Sequence, residues 1–320
     1  MSKNIDNKKI DLFYKLVDKA CMIYYNDLGT DYLEAFIKVS ESLTDEFDEM
    51  KLSKKSIEKL NAIYNEISEN DFLNEEVRIA CELILVKGLK HRNVLLDFMT
   101  PDVINYLYVH IVKSIIDNCN FGDEITILDT VLGTSNLLQT IINNIEEYKD
   151  IKIHGIGIEK DELLVHLSKA LSNLLDNEII INFNDALKKI NNCANIIVGD
   201  FGESKDVYEI IKLRLDNLAD DGFFVYVVNN DFFTNAPKDL FLTGYHLVLS
   251  RALFLPYSYI VILESFNFLS ISITILLIPD FSIFVLVILI ASSLSAITYS
   301  NLFFSSAYTV CLRIQLSLLI

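Results

Sequence analysis

Apolar side chains recur every three or four residues through the first part of the chain. Leu12, Phe13, Leu16, Val17, Ala20 and Ile23 form one run, and Leu33, Phe36 and Ile37 form the next, with Ser40 on the same face. That period is helical. A third set, Val77, Ile79, Ala80, Leu83 and Ile84, follows Asp71, which the pattern nominates as an N-cap with Asn74 and Glu75 in the first turn. Residues 6–92 carry no strand signal, so residues 1–95 are expected to form an all-α helical domain. Beyond it, Pro101 restricts Thr100 to extended backbone, and a helix through Val103, Ile104, Leu107 and Ile111 follows.

From Ile125 the period changes. Short β-branched runs alternate with helical stretches, predicting strands at 125–129, 151–158, 179–183, 194–199 and 223–228. The helices between them are expected at 134–147, 161–175 and 204–219. Such alternation builds β-α-β units and a mostly parallel sheet covered on both faces. The runs IIVG and FFVYVV are apolar on both sides, as central parallel strands require. The fold class is α/β, preceded by an all-α domain.

The chemistry gathers at strand ends. In ITILDTVLGTSN (125–136) a strand ends on Asp129, and a loop containing Gly133 and Thr134 leads into the next helix. That order sets backbone N–H groups and a helix N-terminus beside a carboxylate, at the edge where open α/β sheets bind nucleotide-like ligands. Only one glycine is present, so the G-x-G-x-x-G dinucleotide fingerprint is absent. Glu159 follows the second strand, where a carboxylate can accept both hydrogens of a ribose diol or simply favour a helix dipole. Asp185 follows the third strand and reads equally as a helix cap. Asp200 ends the fourth.

Four strings together resemble the adenine-specific DNA methylases related to type I restriction-modification subunits, closest to stand-alone bacterial members with an N-terminal helical domain. ILDTVLGTSNLL resembles their cofactor loop, D-P-x-x-G-T-G. LDFMTPDVINYL (96–107) resembles the Thr-Pro motif upstream, HGIGIEKD (154–161) the second strand with its acid, and NIIVGDFG (195–202) takes the place of the N-P-P-[FY] or D-L-P motif. The resemblance implies a Rossmann-like methyltransferase domain over 96–245, S-adenosylmethionine as cofactor, and DNA as partner. It implies that Asp129, Gly133, Thr134 and Glu159 hold the cofactor, Asp185 its adenine, and Thr100-Pro101 its methionine end. Asp200 would accept a hydrogen bond from the target amine while Phe201 stacks on the flipped base. The chain departs from the pattern where Thr130 replaces the loop proline, Ser135 replaces the second glycine, and Phe201-Gly202 stands directly after Asp200 in place of the two motif prolines. Serine is disfavoured at a positive φ, so the loop is expected to be less suited to its ligand.

Charge and composition change this picture in two places. The net charge of −17 opposes a broad electrostatic grip on nucleic acid. No target-recognition domain of useful size is visible, which leaves open whether this chain or a protein partner recognises the DNA. The five cysteines (21, 81, 119, 193, 311) lack metal spacing, and with the polar N-terminus they point to a reduced, cytoplasmic protein. After Lys238 no lysine recurs, and 281–312 carry no formal charge. Residues 246–320 are therefore read as an apolar tail outside the sheet, displaced by a change of reading frame near 238–250 or, alternatively, inserted in a membrane. Three rivals to an active methylase stand: a degenerate relative that keeps fold and cofactor without transfer, a nicotinamide-dependent oxidoreductase, and a membrane-anchored protein. The single-glycine loop speaks against the second.

Overall fold

A computed structural model describes residues 5–44, 52–92, 99–202, 204–229, 247–255, 258–265 and 285–286. Four helices come first: α1 (Asn7–Leu28), α2 (Tyr32–Thr44), α3 (Lys54–Ser68) and α4 (Asn74–His91). Asp6 caps α1 by accepting the Lys8 N–H at 2.9 Å, and Gly29, at φ 64, ends it in the left-handed conformation. Asp71 is not the cap of α4. The helix starts after Leu73, and Glu76 does the capping from inside, accepting the Leu73 N–H at 3.0 Å and the Asp6 N–H at 2.8 Å. One carboxylate thus ties the starts of α1 and α4 together.

The remaining elements are α5 (Asp102–Asn118), β1 (Glu124–Asp129), α6 (Asn136–Tyr148), β2 (Lys152–Glu159), α7 (Glu162–Leu175), β3 (Ile179–Phe183), β4 (Ala194–Asp200), α8 (Val207–Arg214) and β5 (Leu218–Asn229). The helix expected at 204–219 is shorter, because Asn217 Nδ2 donates to the Ile190 and Asn192 carbonyls at 2.9 and 2.7 Å and pins the chain there. β6 (Leu247–Leu255), β7 (Ser258–Ser265) and β8 (Val285–Leu286) complete the sheet. Its order is β3-β2-β1-β4-β5-β7-β6-β8. β1 to β5 are parallel, and β7 runs antiparallel to both β5 and β6.

The tail is corrected here in part. The sheet does not stop before residue 246: LVLSRALFL and SYIVILES, rich in strand-forming residues, pair beyond β5, whose edge would otherwise present unpaired backbone groups. The uncharged run at 281–312 lies outside the described residues except for β8. Among the described residues no helix is long and apolar enough to cross a membrane. Among the described residues Cys21, Cys81, Cys119 and Cys193 form no disulfide, and Cys311 lies outside the described residues.

Side chains alternate between the two faces of the sheet as the period of two requires. Ile125, Ile127, Ile196, Val198 and Val225 pack with α5 and α6. Leu128, Ile156, Ile197 and Phe224 face α8. The core of the helical domain continues without a break into α7 through Leu164, Leu167, Ala170 and Leu171. The architecture is a mostly parallel α/β sheet with an all-α region before it.

Candidate functional site

β1 lies between β2 and β4, with Asp129 level with Gly157 on one side and Val198 on the other. Glu159 and Asp200 therefore each stand two residues, or about 7 Å, further up the carboxyl edge of the sheet. Three acids on three adjacent strands face the same end, and their charges act on one another. Asp129 is 1% exposed. Burial pushes its carboxyl up to about 7; the Val131 N–H, donating to Oδ1 at 3.0 Å, works against that, and Asp200 and Glu159 add to the rise. Asp200 is raised too, first by burial, while the Gly202 N–H at 3.2 Å and the Thr100 hydroxyl pull it back.

The loop from Thr130 to Ser135 is tied down on both sides. The Thr130 N–H and hydroxyl both donate to the Val198 carbonyl at 3.1 Å, a double contact that a proline could not make. The Leu132 N–H donates to the Ile158 carbonyl at 3.0 Å, and the Leu132 side chain lies so close to β2 that a Cβ on Gly157 would meet it at 2.5 Å. The Gly133 N–H donates to Glu159 Oε2 at 2.8 Å, and the Ser168 hydroxyl donates to the Gly133 carbonyl at 2.9 Å. Gly133 (φ 57) and Ser135 (φ 63) both take left-handed backbone, so the serine does occupy the strained position that a glycine would suit. The Thr134 hydroxyl is buried with no hydrogen-bond partner.

Glu159 is busier than a free ribose acceptor. Besides Gly133 it receives the Lys160 and Asp161 N–H groups on Oε1, each at 2.8 Å, which leaves one lone pair on Oε2. Asp185 sits in the loop after β3, its Oδ1 accepting the Leu187 N–H at 2.9 Å, and Asn184 holds that loop to the Glu159 carbonyl at 2.9 Å. Thr100 and Pro101 open α5, and Thr100 meets Asp200, so the Thr-Pro turn and the fourth strand are brought together. Phe201 is not presented to the site. It is 6% exposed and packs edge-on against Tyr226, with ring centroids 4.8 Å apart.

One residue of the site escapes sequence reasoning. Tyr108, fully buried on α5, donates its hydroxyl to the Gly199 carbonyl at 2.7 Å and accepts the Val227 N–H at 2.8 Å. It fixes the peptide just before Asp200. In the sequence it is one more residue on an apolar helix face, and only the pairing of β4 with β5 gives its hydroxyl a role.

Residues 11–89, within α1 to α4, match the family described as the YtxK N-terminal helical domain. The uncharacterized protein YtxK of Bacillus subtilis is 30% identical over 179 residues, covering 55% of this chain and 53% of that protein. The chain thus spans about half the length of this curated relative. Among solved structures, a Listeria monocytogenes protein assigned to the class I S-adenosylmethionine-dependent methyltransferases superposes with a TM-score of 0.68 at 23% identity, over 82% of this chain and 89% of that one. A type I restriction-modification system methyltransferase subunit from Streptococcus thermophilus does so with a TM-score of 0.50 at 16% identity, over 84% of this chain and 68% of that one. At these identities the structures establish the fold: that of class I methyltransferases.

Proposed function

We propose that the chain is an S-adenosylmethionine-dependent methyltransferase whose acceptor is the exocyclic amine of an adenine in DNA. Asp129 carries the reading. A carboxyl buried at the end of the first strand, with its proton held near neutrality, is short of hydrogen-bond donors, and the orphan Thr134 hydroxyl lies in the loop beside it. Such a place suits a cationic ligand rich in N–H and O–H groups. The cofactor, when bound, supplies a methyl group on a positively charged sulfur.

The chain's own groups then divide the work. Asp129 and the Gly133–Thr134 backbone line the loop, the remaining lone pair of Glu159 accepts a ribose hydroxyl, and Asp185 accepts from the adenine amine of the cofactor. Thr100 and Pro101 cover its far end. Asp200 would accept a hydrogen bond from the target amine and take the proton that amine loses as its new N–C bond forms and the methyl–sulfur bond breaks, that bond's electron pair staying on the then neutral sulfur. Phe201 has to leave Tyr226 before it can stack on a base.

A second reading, cofactor binding without transfer, is favoured by that buried ring and by the absence of proline directly after Asp200. The test has two arms. Calorimetry of the full chain with S-adenosylmethionine and its demethylated product checks the pocket. Transfer of labelled methyl groups to plasmid DNA, alone and with cell extract supplying a recognition partner, checks the reaction. Binding with transfer supports the first reading, binding alone the second, and no heat with either ligand rejects both.

A further inference from the structure

The helical domain sends one charged side chain into the seam beneath the site. Arg78, on α4, is 0% exposed. Its guanidinium lies 2.9 Å from Glu75, 3.0 Å from Glu82 and 3.0 Å from Asp102, and its Nη1 donates to Asn136 Oδ1 at 2.6 Å. Glu75 extends the cluster by accepting from the Tyr106 hydroxyl at 2.9 Å and from Asn143 Nδ2 at 3.0 Å. Three helices, α4, α5 and α6, therefore meet on one cation. Burial pulls the guanidinium down, but Glu75 and Asp102 outweigh it and keep Arg78 charged. Relative to well-packed apolar side chains, a buried ion cluster adds little stability, so its main consequence is to select one arrangement of the helices around it.

Two of those partners stand at the site. Asn136 is the first residue of α6, directly after the Asp129–Ser135 loop, and its Nδ2 donates to the Thr100 carbonyl at 3.5 Å. Asp102 is the first residue of α5, directly after Thr100-Pro101. It accepts from Asn105 Nδ2 at 3.1 Å, and the same amide reaches the Thr100 carbonyl at 3.2 Å. Thr100 in turn touches Asp200. From Arg78 the route to the loop runs through one side chain, and the route to the Thr100 turn through another.

We propose that Arg78 is a positioning residue: through Asn136 and Asp102 it sets the β1–α6 loop and the Thr100-Pro101 turn at one separation. The helical domain is thereby a working part of the cofactor site. The inference rests on the S-adenosylmethionine reading above. Misplacing one hydrogen-bonding group of the site should cost about tenfold in affinity.

The test uses the full chain and measures thermal melting together with the Kd for S-adenosylmethionine, at a temperature where every variant is folded. Asn136→Ala leaves Arg78 with all three carboxylates but takes one acceptor from its buried guanidinium. It should melt somewhat below wild type and bind the cofactor about tenfold more weakly. Arg78→Lys keeps the charge but loses the planar fork; it should lower the melting temperature and weaken binding by a similar factor. The double variant should bind no worse than Arg78→Lys, because both changes cut one link. If both single variants keep a wild-type Kd while only the melting temperature falls, Arg78 is merely structural and the proposal fails. Should Arg78→Lys not fold, Asn136→Ala decides alone by the same criterion. A wild-type chain that binds neither the cofactor nor its demethylated product removes the cofactor reading and this inference with it.

Discussion

The loop after β1 and the loop after β4 leave the same edge of the same sheet, from adjacent strands, and they are built very differently. In the first, successive N–H groups from Thr130 to Gly133 find acceptors on β4, on Asp129, on β2 and on Glu159, and two residues hold left-handed backbone. In the second, Asp200 keeps its Gly202 and Thr100 contacts, but the ring after it is folded back into the core against Tyr226. On the proposed reading, the half that would hold the cofactor is pre-formed and the half that would hold the acceptor is not. That reading predicts that binding and transfer are separable, and each substitution below acts on one half while leaving the other as a control.

The largest effect is expected at Asp200. Asp200→Ala should reduce methyl transfer to DNA by on the order of 10²–10⁴-fold, the usual worth of a positioned proton acceptor, with the cofactor Kd within about twofold of wild type. Transfer by wild type that survives this change would place the acceptor chemistry elsewhere. A parallel loss of cofactor affinity would mean that the two halves are one unit.

Asp129 comes next, because its burial makes stability depend on pH. Its folded pKa of about 7 lies above the ordinary 3.8, so between those values the unfolded chain has released a proton that the folded chain still holds. Stability should thus fall as pH rises from about 4 to about 7 and change no further above that. The contribution is about 4 kcal/mol, from roughly three pKa units at 1.36 kcal/mol each. Asp129→Asn, which keeps an acceptor for Val131, should remove this slope and be the more stable protein at pH 8. Denaturant melts of both proteins at pH 4 and pH 8 decide the matter, and parallel pH profiles would show that Asp129 is not desolvated as described. If the cofactor reading holds, wild-type affinity should increase through pH 7 as the carboxylate becomes available, and the Asn variant should lose that dependence.

Much of this fold was legible in the chain, for physical reasons that differ by region. The runs IIVG and FFVYVV sit in central parallel strands, where both faces are covered, so apolar length alone identifies them. The acids at 129, 159 and 200 follow from the rule that parallel strands deliver their ends to one edge. What the sequence hides depends on contacts distant along the chain. The burial of Phe201 requires Tyr226, 25 residues on. The work of Glu159 in binding three N–H groups is invisible until the Gly133 loop folds over β2. The strands Leu247–Leu255 and Ser258–Ser265 are obscured because local composition there reads as an apolar tail, and pairing with β5 is a property of the sheet edge.

Glu159 offers a smaller effect on the pre-formed half. Its carboxylate takes three charge-assisted hydrogen bonds from backbone groups, including the one that shapes the Gly133 turn. Glu159→Ala should weaken cofactor binding by on the order of 1.5–3 kcal/mol, read by calorimetry. Glu159→Gln keeps the acceptor geometry without the charge and should fall between the two. An alanine variant that binds like wild type would assign Glu159 to loop structure alone.

The smallest effect tests whether the pre-formed loop is strained. Ser135 holds φ 63 and ψ 8 at the start of α6, and its side chain makes no capping bond to the helix. A left-handed serine costs about 1–2 kcal/mol relative to an unstrained backbone, whereas glycine adopts the same angles without a Cβ clash. Against this, glycine loses more entropy on folding, by roughly 0.5–1 kcal/mol. Ser135→Gly should therefore raise stability by at most about 1.5 kcal/mol. The cofactor affinity should stay unchanged, because the loop already occupies its bent form before any ligand arrives. A gain in affinity without a gain in stability would mean that wild type spends much of its time with the loop open. The contrast with the β4 loop would then be one of degree, with both halves of the site closing only around their ligands.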